Sequence, residues 1–162
     1  MNYNQSRNNH RYPQTGRPQQ NVSSGQENYV PLTEENYVDL AEKSIKMIKN
    51  AAKQEKDVVT TSQLRNLLTL TMEIYNELVG VVDTKQGLSE DLILRMNYLK
   101  LRFVYECGRT PAVKTFVETS QLLKHLEKVL KDQQEKRKSF ILFTRYMEAL
   151  VAYRKYLVQS GD

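Results

Sequence analysis

The sequence predicts an all-α protein, a compact bundle of about five helices behind a disordered N-terminal tail. Three observations predict it. Apolar residues recur at spacings of three and four through most of the chain after residue 32, which is the period of one helix face. No stretch alternates with period two for long enough to make a strand. At 162 residues, 40% hydrophobic and 27% charged, the composition is that of one soluble domain long enough to bury a core.

Residues 1–32 form a block of their own. Eleven of them are Asn or Gln, and Pro13, Gly16, Pro18 and Gly25 interrupt any periodicity. Such a stretch buries too little apolar area to offset the entropy of ordering it, so disorder is expected. Residues 33–162 are expected to form the single helical domain. Thr33 caps its first helix, with Glu34 and Glu35 suiting the N-terminal dipole and Tyr37, Leu40, Ala41, Ile45 and Ile48 on one face to about Lys53. Thr60 and Gln63 make a capping box for the second, whose buried face is Leu64, Leu67, Leu68, Thr71, Ile74, Tyr75 and Leu78, with Gly80 near its end. Ser89, followed by Glu90 and Asp91, opens the third, and Gly108 stops it near Arg109. Thr110-Pro111 restarts the chain as a cap and a first-turn proline. A fourth helix is expected from Val113 through Leu130. Lys131–Lys138 extends it into solvent or forms a mobile loop, and Ser139 opens the fifth helix, with Phe140, Phe143, Met147 and Leu150 apolar.

Several chemistries lack residues. The two histidines, His10 and His125, and the lone Cys107 give no metal-ligand set, no triad and no disulfide. His125 is expected at the surface and Cys107 as a small buried hydrophobe. No glycine-rich phosphate loop is present. Neither a cofactor nor an enzymatic activity is expected. No apolar run approaches the ~20 residues of a membrane helix, and the N-terminus lacks a signal pattern, so a cytoplasmic protein without membrane contact is expected.

Net charge is +5, and its placement matters more. Residues 1–84 carry nine Lys/Arg against ten Asp/Glu (−1), and residues 85–162 carry fifteen against nine (+6). A basic C-terminal half favours a polyanionic partner. Within it, Arg95, Tyr98, Arg102, Tyr105 and Arg109 stack along one line of the third helix. Leu92, Met96, Leu99 and Phe103 form a second line, and Ile93, Leu94, Leu101 and Val104 a third, so this helix is expected to be mostly buried. Alternating guanidinium and phenol groups suit a phosphate backbone with bases nearby. The plainer alternative is a solvated face whose rings pack sideways. Arg65 stands close to a helix N-terminus, where the dipole disfavours it. Lys100 lies between two apolar lines and must snorkel or meet an anion. Lys124, Lys128, Lys131 and Lys138 interleave with Glu127, Asp132 and Glu135, the pattern of a wet face.

Three segments, in order, carry a family resemblance: Thr60-Thr61-Ser62-Gln63-Leu64-Arg65, Lys100 through Arg109 with its Tyr-x-x-Gly-Arg end, and Phe140 through Tyr153 with Phe-x-x-Phe and Glu-Ala-x-Val-Ala-Tyr. Over about residues 36–157 the chain resembles the small subunit of type III-A CRISPR effector (Csm) complexes. That resemblance implies a non-catalytic helical subunit, several copies of which line up beside other subunits and hold the duplex of guide RNA and target RNA. Cleavage and cyclic oligoadenylate synthesis belong to neighbouring subunits. It implies Arg65, Lys100, Arg102 and Arg109 as phosphate contacts, which Arg95 joins by helical geometry. It also matches Tyr105, Phe140, Phe143 and Tyr153, for which a core role fits better. Binding would be independent of sequence, with specificity left to base pairing, as in RNA-guided DNA targeting. The rival reading is a helical protein–protein adaptor whose basic face meets an acidic partner. A DNA-binding regulator is less favoured, because no helix-turn-helix with a short turn stands out.

Overall fold

The structure, a computed structural model, describes residues 1, 29–54, 57–80 and 88–158. The expectation of a disordered tail falls almost wholly on residues outside that set. Of the remainder, Leu32 packs against the core and the Tyr29 ring lies 5.1 Å from that of His125.

Six helices make the bundle: α1 (Tyr37–Ala51), α2 (Thr61–Gly80), α3 (Glu90–Arg109), α4 (Pro111–Thr119), α5 (Leu122–Lys131) and α6 (Lys136–Leu157). Their starts follow local chemistry. Thr60 and Gln63 exchange side-chain-to-backbone hydrogen bonds of 2.8 and 3.1 Å, closing the capping box of α2. Ser89 accepts from the Leu92 amide at the start of α3. Thr33 and Asn36 make the same reciprocal pair one turn before α1. At the tight turn between α5 and α6 the Asp132 carboxylate accepts from the amides of Gln134 and Glu135 and from the Ser139 hydroxyl. These bonds hold the Asp132 carboxyl below the usual carboxylate range. They let α6 begin at Lys136, three residues ahead of the expected Ser139.

α6 is the hub, lying against α1, α2 and α5, while α3 packs on α2, α4 and α5. Leu64, Leu67, Leu99, Phe103, Phe116, Phe140, Phe143 and Met147 are all fully buried, and Phe103 meets Phe143 edge-on at 6.3 Å. Each such side chain stabilises the fold by roughly 1.5–3 kcal/mol.

Four expectations need correction. The fourth helix is two helices, because Gln121 adopts a left-handed backbone (φ 54°) and the Ser120 hydroxyl donates back to the Phe116 carbonyl. That break turns α5 so that Leu122, His125, Leu126 and Val129 face inward, and His125 is buried rather than at the surface. Gly108 is itself helical rather than the stop, although α3 ends at Arg109, as expected, with Thr110 as its cap. Only one of the two apolar lines on α3 is covered: Leu92, Met96, Leu99 and Phe103 are buried, whereas Leu94, Leu101 and Val104 are exposed. Among the described residues no helix is long and apolar enough to cross a membrane.

Candidate nucleic-acid interface

α2 and α3 pack as an antiparallel pair, because Glu77 near the end of α2 bonds Arg95 near the start of α3. Arg65, four residues into α2, lies toward the opposite end of that helix from Glu77. Arg65 is exposed and makes no ion pair among the described residues. The other four expected contacts lie on α3 or its flank, each in a different electrostatic state.

Arg95 is half-buried and ion-paired to Glu77. Lys100 reaches across to α5, where its ammonium lies 2.8 Å from the Glu127 carboxylate and holds that carboxyl below its usual range. Arg102 donates to Glu106 at 3.0 Å, and its guanidinium sits 5.1 Å over the Tyr105 ring. Arg109 is 64% exposed and 3.9 Å from the other oxygen of Glu106. One buried carboxylate thus serves two arginines, and the group of three keeps one net positive charge. Glu106 fixes Arg102 through one bond, leaving most of its five N–H donors for phosphate.

Beside this row run Tyr98 and Tyr105, each 52% exposed. For Tyr105 this overturns the core role expected of it, whereas Phe140 and Phe143 do lie in the core. Both phenols are placed to stack or to donate. The site is a strip along α3 with arginines on one edge and tyrosines along its crest. Leu94 and Leu101 lie beyond them. Sequence reasoning gave Glu106 no role. Its position four residues after Arg102 and three before Arg109 was the signal that it organises both.

Residues 34–160 match the family described as Csm2 Type III-A. The chain belongs to that family. A relative from Streptococcus thermophilus, described as CRISPR system Cms protein Csm2, is 40% identical over 125 residues, covering 77% of this chain and 93% of its own length. The protein so described from Enterococcus italicus is 44% identical over 104 residues, covering 64% and 71%. Its counterpart from Mycobacterium tuberculosis is 43% identical over 99 residues, covering 61% and 75%. As a Csm2 family member the chain is a small subunit of the type III-A CRISPR system, and its partners include other subunits of the Csm complex. The matched region begins in the turn before α1 and takes in all six helices.

Proposed function

We propose that this subunit is a non-catalytic RNA-holding element of a cytoplasmic type III-A ribonucleoprotein. It grips the guide RNA–target RNA duplex or its single strands by phosphate contacts indifferent to sequence, beside adjacent copies of itself, in antiviral defence. The observation that supports this best is the end of α3, where Arg102 and Arg109 share the one buried carboxylate of Glu106 next to two exposed tyrosines. Arg65, Arg102 and Arg109 are the primary contacts. Arg95 and Lys100 join by exchanging Glu77 and Glu127 for phosphate. One copy spans few phosphates and binds feebly, and several copies along one RNA add avidity.

Retention of labelled RNA on filters tests this. Replacing Arg102 and Arg109 by Ala together is expected to lower affinity by roughly tenfold or more and to flatten its salt dependence, with the thermal midpoint little changed. A variant that unfolds instead assigns these arginines a structural role. A second reading, the protein–protein adaptor, draws support from the exposed Leu94, Leu101 and Val104. Failure of the wild-type protein to retain RNA at low salt would favour it.

A further inference from the structure

We propose that a second copy of this chain docks on the outer face of α3, helix against antiparallel helix, covering the arginines offered above to RNA. Among the described residues, eleven large hydrophobic side chains are exposed, and five of them are Leu94, Tyr98, Leu101, Val104 and Tyr105. Leu94 and Leu101 are 68% and 61% exposed. Leu94, Tyr98, Leu101, Tyr105 and Gly108 follow spacings of four, three, four and three, the seam of a helix that packs along another helix. Among the described residues nothing lies within 4 Å of where a Gly108 Cβ would sit, so the seam ends in open space.

The seam complements itself when one copy is reversed. Leu94 then falls opposite Tyr105 of the second copy and Tyr98 opposite Leu101, so that every ring meets a leucine. Asp91 falls opposite Gly108 and next to Arg109 of the second copy, a charge match made twice by the two-fold symmetry. The same reversal brings Arg95 beside Arg102 of the other copy. Those two already carry Glu77 and Glu106, so ion pairs meet there rather than bare cations. Parallel pairing would set Tyr on Tyr, Asp91 on Asp91 and Arg109 on Arg109. This self-complementarity chooses a second copy over an unrelated helix. From Leu94 to Gly108 the seam is about 21 Å long, too short for the ~800 Å² per partner of a stable complex. The pairing is therefore weak and concentration-dependent, and RNA displaces it. Only that competition rests on the RNA reading; the pairing does not.

Sedimentation equilibrium of the full chain without RNA tests the pairing, with circular dichroism reporting helix content of each variant. A monomer–dimer equilibrium is expected. Leu101→Glu, at an exposed position, should give a folded monomer. Asp91→Arg and Arg109→Asp should each weaken dimerisation about tenfold or more, and the double variant should restore it, because the pair has only changed sides. Wild type that stays monomeric at every concentration overturns the proposal, as does a Leu101→Glu dimer. Single charge variants with no double-variant recovery overturn the register. A single-stranded oligouridylate is then added: loss of dimer supports the competition, and RNA bound to intact dimer overturns it. RNA that does not bind at all sinks the RNA reading and leaves the pairing standing.

Discussion

At the scale of single residues, the least legible were two polar side chains in the core. His125 is buried with its Nδ1 3.3 Å from the Tyr29 hydroxyl and its ring edge-on to Tyr146. Burial, aided by Lys124, lowers its pKa from the ordinary 6.5 to about 4. Its imidazole is therefore neutral in the fold between those values while the unfolded chain binds a proton. Stability is full above pH ~6.5 and falls as pH drops toward 4, by about 3 kcal/mol for a shift of this size. Urea unfolding at pH 7 and pH 4.5 should show that loss, and His125→Leu should remove it while the carboxylate contribution remains. Equal pH slopes in both proteins would mean that the imidazole stays solvated. Arg154 stands in the last turn of α6, where a cation also suits the helix dipole. It is fully buried at the end of α6, donating to the Val59 carbonyl at 2.7 Å and to the Thr61 hydroxyl at 3.1 Å. It thereby fastens the loop before α2 to the last helix. Arg154→Met strips two charge-assisted bonds and is expected to cost about 3 kcal/mol, read as a lower urea midpoint at constant m-value. Neither role was visible in the sequence, because the burial of His125 follows from the unannounced break at Gln121 and Arg154 depends on partners more than ninety residues away.

At the scale of elements, helix starts were legible because their determinants lie within four residues. The Thr60–Gln63 box, the Ser89 cap and Pro111 at the first turn of α4 all stand where their spacing put them. Breaks and exposed faces were not legible in this way. The interruption at Ser120–Gln121 has no Gly or Pro to announce it, since a serine hydroxyl and one left-handed glutamine accomplish it. A left-handed L-residue costs roughly 1–2 kcal/mol that glycine avoids. Gln121→Gly should accordingly stabilise the fold by about 1 kcal/mol, a gain reduced by glycine's greater backbone entropy in the unfolded chain. Differential denaturation by urea would detect it. A loss of stability in the Gln121→Gly protein would mean that the glutamine side chain holds the α4–α5 corner. The second apolar line of α3 misled for a different reason. Periodicity shows that a face is apolar but not what covers it, and among the described residues nothing covers Leu94 and Leu101.

At the scale of the whole molecule, the +6 of the C-terminal half overstates what RNA would meet. Glu77 and Glu127 each neutralise one cation, Arg95 and Lys100, whereas Glu106 is shared between Arg102 and Arg109, so phosphate meets one-to-one competition from the protein's own acids at two of the five proposed contacts. The salt dependence of binding counts the cations that win. With about −0.7 per phosphate on a single strand, Arg65, Arg102 and Arg109 alone give a log–log slope of about −2, and all five give about −3.5. A pair as exposed as Lys100–Glu127 contributes under ~1 kcal/mol to the fold. Cutting it therefore leaves the bundle intact and frees an ammonium. Glu77→Gln with Glu127→Gln is expected to raise RNA affinity about two- to fivefold and to bring the slope toward the steeper value, with the thermal midpoint nearly unchanged. Filter retention across a salt series reads both quantities in one experiment. An unaltered slope would remove Arg95 and Lys100 from the interface and confine it to the end of α3 around Glu106.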